Sequence, residues 1–185
     1  MGISNFFCKN KWLYKRLEES RVRLYHIAYS WSHDAAVADD LVQESLEKAV
    51  RNIDRLYDHN ALNGWLYRIM SNCWKDYLRK QYHHVDVPDD ELVYEGESPE
   101  QAYELKSMAD KVQSAVAQLP MGQRQVITLI DLNDASYAEV AEALEIPIGT
   151  VMSRLSRARK TLASMVIDQK EQTSGSNIYP LREAR

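Results

Sequence analysis

The sequence predicts an all-α protein of two small helical domains joined by a flexible acidic linker. Three observations carry this. Apolar residues recur at three- and four-residue spacing over long stretches. The 185 residues contain only six Gly and five Pro, and no hairpin signal is present. Near the middle, the stretch HHVDVPDDELVYEGESPE gives up any sustained period for acids, two Pro and a Gly.

The first block, 11–82, reads as a helix around Tyr14–Trp31, a second from about Asp34 to Ile53 and a third from about Leu62 to Gln81. The turn Tyr57-Asp58-His59-Asn60 separates the last two. Residues 83–98 form the linker. The second block, 99–168, opens with a helix from about Pro99 to Leu119, breaks at Leu119-Pro120 and resumes from about Gln123 to Leu132 before a closing helix pair. The tail 169–185, with QTSGSN, reads as loose.

The formal net charge of −4 argues against strong non-specific nucleic-acid binding, which depends on neutralising phosphates. Its distribution argues otherwise. Residues 83–118 hold two basic and nine acidic residues, leaving the remainder at +3 with its cations bunched in two short stretches. Cys8 and Cys73 lie far apart and in no CxxC pattern, so neither a disulfide framework nor a zinc site is indicated. No apolar run approaches the ~18 residues of a membrane span. The start MGISNFFCKNKWL fits neither a signal peptide nor a myristoylation motif, which points to a reduced cytoplasmic setting without membrane insertion.

The clearest local pattern lies between Ser136 and Leu162. Ser136 followed by Glu139 is a capping box, so a helix should begin there. Tyr137, Val140, Ala141 and Leu144 then make one apolar face. Glu145-Ile146-Pro147 interrupts it, and a second helix opens at Ile148-Gly149-Thr150 with Val151, Leu155, Ala158 and Leu162 as its buried stripe. Two short helices and a tight turn, with small Ala141 permitting close approach, follow helix-turn-helix grammar. The outward positions of the second helix are Met152, Ser153, Arg154, Ser156, Arg157, Arg159 and Lys160. From Thr150 to Lys160 there are four basic residues and no acid. Such a helix suits the major groove, with Arg157 able to meet guanine in a bidentate manner and the other cations placed for phosphates. A basic run alone fits a solvated face equally well. The capping box, small residue, turn and basic helix in this order favour DNA. Glu145 departs from the Gly that many such turns carry.

In the third helix Leu66, Ile69, Met70, Cys73 and Tyr77 are expected in the core, while Arg68, Asn72, Lys75 and Arg79 share another face. Residues 62–82 carry four basic residues and one acid, interleaved with Trp65, Tyr67 and Trp74. Cations mixed with aromatics can hold single-stranded or splayed bases, although aromatics of this size are also ordinary core residues. The second helix is the opposite: Asp40, Glu44 and Glu47 line one face with Asp39 and Gln43 beside them, as a basic protein partner or plain solvent would require.

The segments ADDLVQESLEKAV, GWLYRIMSNCWKDYLRK and LP…R…SYAEVAEALEIPIGTVMSRLSRARKTL, in this order across an acidic linker, resemble the extracytoplasmic-function (group IV) sigma factors of bacterial RNA polymerase. The resemblance runs from about Tyr14 to Val166. It implies a first domain (sigma region 2) that recognises and helps melt the −10 element, and a second (sigma region 4) that reads the −35 element. Asp39, Asp40, Gln43, Glu44 and Glu47 would dock on the clamp helices of the polymerase β′ subunit. Leu56 and Asn72 match positions near a flipped-base pocket, with Trp65 beside them and Arg68, Lys75 and Arg79 on the DNA backbone. Met152, Ser153, Ser156 and Arg157 would face −35 bases, with Thr150, Arg154, Arg159 and Lys160 completing that surface. Met152 stands where the family often has a basic residue and Ser156 where it often has a larger one. The long intervening region of primary sigma factors is absent. Members are usually restrained by an anti-sigma factor, often membrane-anchored. A factor of this kind acts without metal or cofactor, is not an enzyme, and is expected to be a monomer when free of core polymerase, promoter DNA and its inhibitor.

Other classes fit less well. A sigma-mimicking module would lack the basic reader, and a stand-alone operator binder would need a dimer and leave the first block unexplained. His83 and His84 with Asp86, Asp89 and Asp90 lack metal-ligand spacing and sit in the linker.

Overall fold

The computed structural model describes the backbone of residues 3–81 and 108–174, and the side chains of residues 13–81 and 112–165. Every regular element among them is helical. The predicted linker, the histidine and aspartate residues from His83 to Asp90, and the segment 99–107 of the predicted fourth helix lie outside the described residues.

The first domain consists of α1 (Ile3–Ser32), α2 (Ala35–Arg51) and α3 (Leu62–Gln81). Helix α1 begins well before the predicted Tyr14, since nothing between Ile3 and Leu13 breaks a helix. It ends where His33 takes a left-handed φ of 54°. Asp34 then caps α2, its carboxylate accepting from the amides of Ala36 at 2.8 Å and Val37 at 3.0 Å. Helix α2 buries Ala38, Leu41, Val42, Ser45 and Ala49 against α1 and α3. Two short 3-10 turns, Ile53–Arg55 and His59–Ala61, lead into α3.

The predicted core stripe of α3 is found, with Leu66, Met70 and Cys73 buried and Ile69 and Tyr77 packed against the core. Two interleaved aromatics are corrected: Tyr67 and Trp74 are buried, at 2% and 0% exposure, and cannot meet bases in this conformation. Trp74 lies between Trp31, with ring centroids 6.4 Å apart, and Tyr77, stacked at 5.4 Å. The physical reason is size, because so small a domain fills its centre with whatever large apolar groups its helices supply.

The second domain consists of α4 (Met108–Ala117), α5 (Met121–Asp131), α6 (Tyr137–Leu144) and α7 (Ile148–Ser174). Pro120, whose fixed φ favours a helix start, precedes α5 and accepts from the amides of Gln123 and Arg124. From Met121 to Leu129 every residue of α5 except Gln123 is buried, because the helix is wrapped by α7, α6 and α1. Helix α7 continues past Gln169, where a loose tail was expected, as far as Ser174. No Gly or Pro occurs between Gly149 and Gly175 to stop it.

The two domains are packed together, with α3 against α6 and α1 against α5 and α4. One apolar cluster runs through both. The Trp74 indole donates to the Met121 sulfur at 3.3 Å, and the Tyr67 hydroxyl meets the Asn133 carbonyl at 3.4 Å. The guanidinium of Arg124, fully buried, donates to the Trp31 carbonyl of the first domain at 2.9 Å and to the Leu119 and Ala117 carbonyls of its own.

Candidate nucleic-acid interface

The capping box at the head of α6 is formed. The Glu139 amide donates to Ser136 Oγ at 3.2 Å, and the Glu139 carboxylate accepts from the Ser136 amide at 2.8 Å. Val140 and Leu144 are buried as predicted, while Tyr137 and Ala141 pack at the edge of the core. The turn is made by Glu145 at φ 59°, with the Ile146 amide returning to the Ala141 carbonyl at 3.0 Å. This six-to-one bond closes a helix end and usually employs glycine. In α7, Val151, Leu155 and Ala158 are buried and Leu162 packs against the core.

That stripe leaves Met152, Ser153, Ser156, Arg157, Arg159 and Lys160 exposed along one surface, with Thr150 half-buried at its start. Arg154 is a correction to the outward set. It is only 8% exposed, and its guanidinium lies over Gly122 so closely that a β-carbon there would come within 2.8 Å of Cζ. Its position falls on the flank between the buried stripe and the outer face, and the glycine leaves a slot the long side chain fills. Arg159 is also engaged, donating to both carboxylate oxygens of Asp131 at 3.0 Å and 2.6 Å. That bidentate pair pushes the Arg159 pKa up. Arg157 and Lys160 are exposed.

The α3 face is arranged differently from expectation. Arg68, Asn72 and Arg79 are exposed and Lys75 is half-buried, but Arg68 and Lys75 point toward the second domain. Arg68 lies 3.6 Å from Glu142 and 3.5 Å from Glu145, and Lys75 lies 3.1 Å from Glu145. Lys75 first, then Arg68, holds the Glu145 carboxyl below its usual range. Arg79 pairs with Asp76 at 3.2 Å. Trp65 is partly buried against the core, and Leu56 is a correction to the predicted base-facing set, because its apolar side chain is 5% exposed and belongs to the core cluster. Beside it Tyr57, whose sequence context marks only a turn, is 88% exposed.

The acidic helix presents Asp39, Asp40, Gln43 and Glu47 to solvent. Glu44 is half-buried and paired with Lys48 at 2.8 Å, and Gln43 donates to Glu47 at 3.3 Å. This edge borders a groove of about 400 Å³ between α1 and α2, lined by Arg21, Val42, Leu46, Val50 and Arg51. Among the described residues no helix is long and apolar enough to cross a membrane.

Comparison with known proteins places both domains. Residues 17–83 match the family model for Sigma-70 region 2, and residues 109–162 that for Sigma-70, region 4. The chain is 31% identical over 157 residues to the ECF RNA polymerase sigma factor SigW of Bacillus subtilis, covering 79% of this chain and 84% of that one. It is 30% identical over 158 residues to the ECF RNA polymerase sigma factor SigE of Mycolicibacterium smegmatis, covering 83% of this chain but spanning only 61% of that relative. Among solved structures it resembles the sigma factor RpoE of Bartonella quintana, crystallised with the anti-sigma factor NepR. The TM-score is 0.67 and the identity 28%, covering 84% of this chain and 97% of that one.

Proposed function

The chain belongs to the extracytoplasmic-function sigma factors of RNA polymerase, and we propose that it holds core polymerase through α2 while α3 and α7 read the two elements of a promoter. The observation that carries this is the segregation of charge on a small all-helical body. An exposed acidic edge on α2 and an exposed basic edge on α7 lie on separate helices, with the α3 cations on a third.

Asp39, Asp40, Gln43, Glu44 and Glu47 suit a basic helical surface, the clamp helices of β′ in this reading. On α7, Met152, Ser153, Ser156 and Arg157 are open to −35 base edges, with Arg159 and Lys160 toward phosphate. Arg154 would serve there only after leaving its slot over Gly122. Arg68, Asn72, Lys75 and Arg79, with half-buried Trp65, form the −10 grip, and exposed Tyr57 adds a surface for stacking an unpaired base, whereas Leu56 would join it only after leaving the core. Weak DNA binding by the free chain follows from its net charge of −4, since few phosphates are neutralised by so small an excess of cations on α3 and α7. Because the Bartonella relative was crystallised with an anti-sigma factor, we read this chain as a cytoplasmic monomer restrained in the same way, by a membrane-anchored partner where one is used.

Affinity capture with core polymerase tests the reading. The chain should be retained, and Asp40→Lys with Glu44→Lys should abolish retention without unfolding the protein. A chain that ignores core polymerase yet binds a palindromic operator tightly would instead be a repressor.

A further inference from the structure

Glu145 occupies a left-handed conformation, φ 59°, that glycine adopts freely and a β-carbon disfavours. Its carboxylate is directed across the domain boundary. Oε1 lies 3.5 Å from Arg68 Nη2 and Oε2 3.1 Å from Lys75 Nζ. Glu142, three residues earlier on α6, lies 3.6 Å from Arg68 Nη1. The Lys75 ammonium also donates to the Leu144 carbonyl at 3.4 Å. Two cations assigned to the DNA backbone are thus met by carboxylates of the other domain.

We propose that Glu145, assisted by Glu142, is an intramolecular latch that takes the place of DNA phosphates on Arg68 and Lys75 and withholds these two cations from the −10 strand in the free chain. The proposal rests on reading the α3 cations as DNA contacts. Carboxylates and phosphodiesters offer arginine and lysine the same negative oxygen acceptors, so α6 and the promoter compete for one surface. The pairs are solvent-accessible, hence individually weak and releasable, each shifting an equilibrium by a factor of about two to five. Asp39, Asp40, Gln43 and Glu47 remain exposed in the same arrangement, so the polymerase-facing edge is accessible while Arg68 and Lys75 are engaged. Docking on polymerase can therefore precede release of the latch.

The test uses the full chain carrying Cys8→Ser, with dyes at Lys15→Cys on α1 and Ser164→Cys on α7. Single-molecule energy transfer gives the open fraction, and anisotropy gives the affinity for a labelled single-stranded oligonucleotide. Glu145→Gly and Glu145→Asn both suit the left-handed turn, so folding is preserved while the charge is lost. Each should raise the open fraction about five-fold and tighten oligonucleotide binding by a similar factor, because apparent affinity scales with the competent fraction. An unchanged open fraction in both variants overturns the latch. A raised open fraction with unchanged oligonucleotide affinity overturns the masking and locates the failure in the assignment of α3 to DNA.

Discussion

The guanidinium of Arg124 donates to the carbonyl oxygen of Trp31 at 2.9 Å, joining the last turn of α1 to the start of α5 across the domain boundary. Among the described residues it has no carboxylate partner. It meets two further carbonyls, of Ala117 and Leu119, at the end of α4. Helix C-termini present partially negative carbonyls, so a cation is suitably placed there. Burial pulls its pKa down to about 10, which leaves it charged at neutral pH.

Replacing Arg124 with Leu removes the cation and strands three carbonyls, two of them in fully buried hydrogen bonds. The expected loss is about 2–4 kcal/mol of folding stability. Arg124→Lys should fall between, since one ammonium cannot span all three acceptors. Urea midpoints at constant m-value check this. A Leu variant as stable as the parent would contradict the role.

Trp74 is a core residue, not a base platform. Trp74→Ala should cost about 3–5 kcal/mol through the cavity it leaves, whereas Tyr57→Ala at 88% exposure should leave stability unchanged and weaken binding of an unpaired −10 strand. Thermal melts paired with oligonucleotide titrations separate the two. Equal effects on stability would contradict the assignment.

His33 lies near Arg124 at the end of α1, with its Nε2 buried and no hydrogen-bond partner among the described residues. Burial, and then the Arg124 charge, lower its pKa from 6.5 to about 4. The folded form therefore resists a proton that the unfolded chain accepts near 6.5, so this contribution to stability is present above pH 6.5 and lost as pH falls toward 4. His33→Asn, which tolerates the left-handed φ of 54°, should flatten the decline in urea midpoint between pH 7 and 5. An unaltered decline would contradict it.

Asp131 neutralises Arg159 on α7 through its bidentate pair. Asp131→Asn should release that cation for phosphate, tightening binding to duplex −35 DNA and steepening the logarithmic salt slope by about 1. Fluorescence titrations between low and moderate salt measure both. An unchanged slope would mean that Arg159 does not reach the backbone.

The helices were legible because their apolar stripes are periodic, and the α6 start because Ser136 and Glu139 are a local pair. Residues whose roles depend on the other domain were not. Arg124 appeared only as one letter of a motif, and its bond to Trp31 spans 93 positions of sequence. Glu145 left a trace as a departure from glycine, but its partners Arg68 and Lys75 belong to a helix whose approach to α6 no local pattern predicts. Arg154 and Arg159 read as interchangeable cations, and only packing distinguishes the slot over Gly122 from the carboxylate of Asp131. Tyr57 was hidden by its place in a turn, since a single aromatic there belongs to no helical period.

Run-off transcription with purified core polymerase, on templates bearing promoters that respond to this chain in cells, tests the central claim most directly. The chain should direct initiation from a defined start site. Arg157→Ala should reduce it by ~5- to 150-fold on the native −35 element, equivalent to about 1–3 kcal/mol of base discrimination, and much less on templates with a scrambled −35. No defined initiation by the intact chain, or an Arg157→Ala variant equally active on both templates, would contradict the account.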